Sequence, residues 1–155
     1  MSRFIIVVLG AMLAALALSA CGSSSDKSGI SKDELARRVF NAKVNAVCVA
    51  TNNVTDATQP KKLSEVPTAA ATLVPAQRAQ LVTLRGIPAP VEIKPAWTRV
   101  LDLLQQQVTL LDQVQTEAAQ KVTVRKVSGD VQLLNAATVE GQSRSVALGL
   151  PNCGT

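Results

Sequence analysis

Residues 97–118 read WTRVLDLLQQQVTLLDQVQTEA, and this stretch decides the fold class. Apolar side chains return along it at steps of three and four residues, which is the spacing of one face of an α-helix. That face comprises Trp97, Leu101, Leu104, Val108, Leu111 and Ala118, broadened by Leu103, Leu110 and Val114. With Pro95 near its start, the pattern predicts a helix of about 25 residues, roughly 38 Å long. Gln105, Gln106 and Gln107 are expected mostly on its solvent-facing side.

Another helix is predicted upstream, at residues 31–50. Ser31 and Glu34 have the spacing of a capping box, in which the serine caps the first turn and the glutamate reaches back. Cys48 falls in the last turns of this helix. The expected buried face comprises Leu35, Val39, Ala42, Ala46 and Val49, widened by Phe40, Val44 and Val47. The polar residues 51–62, which include Pro60, predict a connection.

Two further helices complete the predicted domain. Residues 64–85 favour a helix in which Pro75 either introduces a kink or marks the start of a shorter element. Residues 86–90 predict a stiff bend. The last helix is expected from about residues 128–130 to Leu148, followed by Gly149 as a C-terminal stop. Its inner side comprises Val131, Leu134, Thr138, Gly141, Ser145 and Leu148. Residues 122–125 are interpreted as a frayed helix end or loop.

The fold class is therefore all-α, a small bundle of about four helices in residues 31–155. The chain has three cysteines; if Cys21 is modified, Cys48 and Cys153 remain, and an oxidising compartment favours a disulfide between them. Free thiols or a metal site are the alternative, although two cysteines without any histidine make a poor metal site. In an up-down bundle the C-terminal ends of the first and fourth helices lie at opposite ends. The disulfide therefore requires a short or tilted first helix, a tail that turns back, or a split second helix.

The N-terminus carries the pattern of an export signal. Arg3 precedes residues 4–17, FIIVVLGAMLAALA, which contain no polar side chain, and residues 18–22 read LSACG. Small residues before a cysteine form a lipobox, so we expect a cleaved signal peptide in residues 1–20 and a lipid on Cys21. Simple secretion and a retained transmembrane helix are the alternatives. Residues 21–30, rich in serine and glycine, predict a flexible tether. The expected location is the extracytoplasmic face of a bacterial cell membrane.

These features together resemble small actinobacterial-type lipoproteins. The resemblance includes the lipobox, the cysteine late in the first helix, the sequence IPAP at residues 87–90 and the tryptophan that opens the long helix. It also includes the ending LGLPNCG at residues 148–154. It implies lipid anchoring and a helical domain with paired cysteines, and it implies no activity.

Composition argues against most catalytic chemistry. The chain contains no histidine and no tyrosine, which excludes a Ser-His-Asp triad and a histidine-based metal site. The chain also contains no glycine-rich phosphate loop. Together these features predict no catalytic residue, metal or cofactor. The net charge of +5 is spread along the chain, and one tryptophan with two phenylalanines offers no platform for stacking bases, so no nucleic-acid partner is expected.

We therefore expect a protein that acts by binding. The first hypothesis is a scaffold that docks an envelope protein, a wall polymer or lipid, with a solid core and an exposed apolar or basic patch. The second is a carrier of a small ligand or lipid, with an apolar cavity near Trp97. Trp97 is a core anchor or part of that cavity. Lys121, Arg125 and Lys126 form either a solvated cluster or a contact for anionic polymer or lipid headgroups.

Overall fold

The computed structural model of the protein describes residues 30–120 and 124–153. Within these ranges the chain forms four α-helices and no strand, so the predicted all-α bundle is confirmed. The helices are α1 (Lys32–Thr58), α2 (Val66–Arg85), α3 (Lys94–Ala119) and α4 (Val124–Ala147). Short 3₁₀ turns at Leu63–Glu65 and Pro151–Cys153 precede α2 and follow α4. The predicted signal peptide, Cys21 and all of the tether except Ile30 lie outside the described residues.

The first helix is longer than its sequence predicts. Ser31 does cap it, accepting a hydrogen bond from the Glu34 backbone N–H at 3.1 Å, whereas the Glu34 carboxylate bonds to Arg38. The prediction of a connection from residue 51 is wrong, because α1 continues to Thr58 and Cys48 lies near its middle. In this extension the hydroxyl groups of Thr51, Thr55 and Thr58 each donate to the carbonyl four residues earlier, so these polar side chains are satisfied within the helix.

The second helix is a single piece. Pro67 occupies its first turn, as predicted, and Pro75 lies within it on the exposed side without ending it. The helix ends at Gly86, whose N–H contacts the Thr83 carbonyl at 3.1 Å. A shorter helix that begins at Pro75 is therefore wrong.

The fourth helix begins earlier than expected and ends where expected. The helix already includes Val124. The predicted start at residues 128–130 is therefore wrong, and so is the interpretation of Val124 as part of a loop. At the other end Gly149 has a φ of 78°, the Gly149 N–H bonds to the Val146 carbonyl, and the Leu150 N–H bonds to the Ser145 carbonyl. These two bonds form a Schellman motif, which confirms the predicted stop.

The C-terminal tail resolves the placement of the disulfide. Consecutive helices pack against each other, whereas no Cα atom of α1 lies within 8 Å of a Cα atom of α4 in the described chain. Residues 151–153 turn back from the end of α4 and lie against α1, so they bridge the gap between these two helices, which we call the seam. The Asn152 N–H donates to Asn45 Oδ1 at 3.3 Å, and Asn52 Nδ2 donates to the Asn152 carbonyl at 2.7 Å. Cys153 then bonds to Cys48, with their Cα atoms 5.1 Å apart, so the predicted disulfide is present.

The buried side chains form two clusters stacked along the bundle. The first comprises Phe40, Val44, Cys48, Leu84, Ile93, Trp97, Val100, Leu148 and Leu150. The second comprises Ala69, Ala70, Leu73, Val74 and Leu111, with Val54 and Leu134 packed against it. None of the helices in the described residues is both long and apolar enough to cross a membrane.

The predicted buried face of α1 is correct at Phe40 and Val44 and wrong along its main line. Leu35, Val39 and Val49 are 54%, 47% and 43% exposed, and Ala42 and Ala46 are exposed as well. The buried face is the neighbouring one, centred on Phe40, Val44 and Cys48. This face also carries Cys48, so its burial is the rotation of α1 that the bond to Cys153 requires.

Candidate functional site

A cavity of about 210 Å³ lies between the two apolar clusters, inside the bundle. All four helices contribute to its wall, and Cys48 and Cys153 close the end nearest the first cluster. Trp97 and Leu84 border it on that side, and Leu73 and Leu111 border it on the other. The cavity therefore occupies the layer where the two clusters leave a gap in the core.

The lining of this cavity mixes apolar and polar side chains, with the apolar surface the larger part, and carries no charge. Six side-chain amides contribute to it: Asn52, Gln77, Gln80, Gln107, Asn135 and Gln142. Four hydroxyl side chains join them: Thr51, Thr55, Thr138 and Ser145. No Asp, Glu, Lys or Arg lines the cavity. A cavity thus lies beside Trp97, where the carrier hypothesis expects one, and amides and hydroxyls join the expected apolar wall.

Gln107 is the clearest departure from the sequence-based expectation. It was expected on the solvent side of α3, yet it is only 8% exposed, and its Nε2 donates to the Ala137 carbonyl of α4 at 3.3 Å. Gly141 makes room for it, since a Cβ at Gly141 would lie 3.2 Å from Gln107 Nε2. The close approach of α3 and α4 therefore explains a glycine inside a helix, where it is otherwise unfavourable.

The two side-chain amides that α2 contributes to the cavity, those of Gln77 and Gln80, have weaker or incomplete hydrogen bonding. Gln80 Nε2 contacts Cys48 Sγ at 3.7 Å, which is a weak hydrogen bond. Gln77 Oε1 is buried and has no hydrogen-bond partner in the described structure. A buried acceptor without a partner costs about 1–3 kcal/mol, so Gln77 Oε1 is a group that a bound molecule could satisfy.

Sequence reasoning missed these amides although a signal was present. Leu73, Gln77, Gln80 and Leu84 follow one another at steps of four, three and four residues in α2. Val100, Gln107 and Leu111 share a face of α3 in the same way. An amide at a position that the helical period assigns to the core is the pattern that would have identified the cavity lining.

Trp97 has both of the roles proposed for it. It is almost fully buried in the first cluster, where its ring meets that of Phe40 edge to face at a centroid distance of 5.3 Å. Another part of the side chain borders the cavity. The chain contains no other tryptophan, so its fluorescence reports on this layer of the bundle.

A second feature lies on the outside of α1. Leu35, Val39, Ala42, Ala46 and Val49, which we call the α1 stripe, form an exposed apolar line along the helix. At the N-terminal end of the stripe, a shallow groove runs between Val39 and the bend at Ile87 and Pro88. The stripe is a candidate docking surface, because exposed apolar side chains in a continuous line are unusual on a water-facing helix.

The predicted basic cluster is only partly described, and that part is not purely basic. Lys121 and the side chain of Arg125 lie outside the described residues. Lys126 forms an ion pair with Glu117, which raises the pKa of Lys126 and lowers that of Glu117. A hydrogen bond to Glu117, with burial as a further cause, raises the pKa of Asp130 beside them. Lys126 therefore lies among carboxylates.

In the described ranges, no three His, Cys, Asp or Glu side chains come together in a group that could hold a metal ion. Comparison with protein-family models, with curated proteins and with solved structures finds no match to this chain.

Proposed function

We propose that this protein is a lipid-anchored, non-catalytic binding module of the bacterial cell envelope, and that it docks an α-helix of another envelope protein on the α1 stripe. The observation that carries the proposal is the exposure of Leu35, Val39 and Val49 on a helix that buries a different face, centred on Phe40 and Val44. Burying such side chains against a partner stabilises the complex by about 25 cal/mol for each Å² of apolar surface removed from water.

The spacing of the stripe favours a helical partner. Its residues recur at steps of four, three, four and three, which is the heptad pattern of the a and d positions in a coiled coil. A strand or a loop does not match this period, whereas an amphipathic helix does. The stripe extends over fifteen residues, from Leu35 to Val49, which is about four turns of α1.

The flanking charges argue against a second copy of this chain as the partner. Arg38 and Lys43 occupy the positions beside the heptad seam, where side chains of paired helices meet. In a parallel pair of two copies, Arg38 of one would face Lys43 of the other, and like charges at such positions destabilise the pair. A partner helix with acidic residues beside its apolar seam is complementary. The predicted lipid on Cys21 would hold α1 near the membrane, where such a partner resides.

Site-specific photo-crosslinking in the native membrane tests the proposal. A photoreactive residue at Val39 is expected to crosslink to one protein, and the same residue at Val82, an exposed valine on α2, is expected not to. The matched variants Val39→Glu and Val82→Glu should abolish and preserve that complex, respectively. Crosslinks to lipid alone at position 39, or the same products from both positions, would overturn the docking proposal.

A second candidate function, a small-ligand carrier, is favoured by the cavity beside Trp97. Its six amides favour a polar ligand over a lipid chain, because an apolar occupant would leave buried groups such as Gln77 Oε1 without a partner.

A further inference from the structure

We propose that the cavity between the two core clusters is a binding site for a small, uncharged polyhydroxy molecule, a polyol or a single sugar unit. The site is separate from the α1 stripe, which lies on another face of α1. The inference therefore goes beyond the docking function and does not depend on it.

The unpacked seam between α1 and α4 provides access. The two helices stay more than 8 Å apart at their Cα atoms throughout the described chain, and residues 151–153 bridge them near Cys48. Asn52 and Thr55 of α1 and Asn135 and Gln142 of α4 all line the cavity, and all four are at least partly exposed. A polar entrance therefore leads from solvent to the buried lining.

The absence of charge in the lining selects against ions. A carboxylate, phosphate or ammonium group loses several kcal/mol of hydration on burial unless a counter-charge compensates it. The side chains that line this cavity offer none, so a charged ligand is disfavoured. An uncharged ligand loses much less hydration free energy when it is buried.

The polar groups select for hydroxyls. An amide side chain both donates and accepts hydrogen bonds, and so does a hydroxyl group, so a polyhydroxy molecule can bond to Gln77, Gln80 and Gln142 in several combinations. Gln77 Oε1 lacks a protein donor, and a ligand hydroxyl would supply one. Trp97, Leu84 and Val100 belong to the apolar part of the wall, against which the C–H face of a sugar can pack.

The size agrees with one sugar unit. A volume of 210 Å³ corresponds to about seven water molecules at about 30 Å³ each. That is the space of a short polyol or a monosaccharide, whereas a disaccharide would extend through the seam into solvent.

Titration of the full-length protein, in a detergent without a sugar headgroup, tests the inference. The probes are myo-inositol and glucose, with gluconate as the charged control; Trp97 fluorescence and calorimetry are the readouts. We expect saturable binding of at least one neutral probe with a Kd below about 1 mM, and at least tenfold weaker binding of gluconate. The absence of saturable binding of both neutral probes below about 10 mM, or equal binding of gluconate, would overturn the inference.

Two variants of α4 locate the binding. Thr138→Leu places a larger apolar side chain in the cavity wall and is expected to weaken binding at least tenfold. Val139→Leu introduces the same side chain at the next, exposed position and should leave binding unchanged. Because Thr138→Leu could unfold the domain, its circular dichroism is measured first, and Gln77→Leu serves as the second cavity variant with the same expected loss. Equal affinity in both cavity variants and the control would show that the molecule binds elsewhere.

Discussion

Reduction of the disulfide between Cys48 and Cys153 is expected to lower the free energy of unfolding by about 4–5 kcal/mol. The two cysteines are separated by 105 residues, so the bond closes a loop that contains most of the domain. In the chain-entropy model such a long loop restricts the unfolded chain strongly, and the restriction disappears on reduction. A domain of this size is stable by about 5–15 kcal/mol in total, so the reduced protein should be close to unfolding at moderate temperature.

Urea unfolding followed by far-ultraviolet circular dichroism measures this difference. The Cys21→Ser background avoids exchange with a third thiol. For a slope of about 1.5 kcal/mol per molar urea, a loss of 4–5 kcal/mol lowers the midpoint by about 3 M. A difference of less than about 1 kcal/mol between the oxidised and reduced protein would refute the loop-closure argument.

The variant Leu150→Ala separates two ways in which reduction could act. Leu150 is fully buried in the tail, between the Schellman motif and the cysteine, and its truncation should cost about 2–5 kcal/mol in the oxidised protein. If the bond acts only on the unfolded chain, the same cost is expected after reduction. If reduction detaches the tail from α1, the cost of Leu150→Ala becomes much smaller in the reduced protein.

Three further predictions concern single residues. Gly149→Ala should lower the free energy of unfolding by about 1 kcal/mol or more, because the φ of 78° is unfavourable for alanine and the new Cβ would lie 3.0 Å from Asn41 Nδ2. Thermal unfolding measures this loss, and an unchanged melting temperature contradicts it. Hydrogen bonds from Arg144 and Arg99 lower the pKa of Glu140 below 4.5, so its contribution to stability is present above that pH and is lost as the pH falls through the lowered pKa. Glu140→Gln should therefore lose less stability than the parent between about pH 7 and pH 3, and parallel curves would show the pair to be irrelevant. Cys21→Ser should remove a lipid mass from the protein extracted from its membrane, as measured by intact mass spectrometry, and an unchanged lipid adduct would place the lipid elsewhere.

The parts of the fold that depend on local sequence were predictable. The heptad-like pattern after Trp97 located α3 almost to the residue, since a long apolar stripe with one polar side has few other solutions. Ser31 and Gly149 marked helix ends because each satisfies backbone groups within a few residues of itself. The disulfide was predicted from the number of cysteines. The geometry of an ideal up-down bundle argued against it, because the C-terminal ends of the first and fourth helices lie at opposite ends.

The parts that depend on tertiary packing were not predictable. The polar run after Thr51 resembles a loop by composition. The contact of Val54 with the second cluster favours the helix there, and the threonine hydroxyls find acceptors within it. Gln107 was assigned to solvent as one of three consecutive glutamines. Only its position seven residues after Val100 and four before Leu111 distinguished it from Gln105 and Gln106.

The rotation of α1 connects these failures to the proposed function. The helix carries two adjacent apolar faces, one through Val39 and one through Phe40, which lie about 100° apart. Hydrophobic burial alone discriminates poorly between them, because either could cover α2 and α3. Only one of them is compatible with the disulfide: Cys48 lies on the face of Phe40 and Val44, and its bond to Cys153 requires that face to point inward. The α1 stripe is thus held in water by a covalent constraint, at a cost in burial that a docked helix would recover.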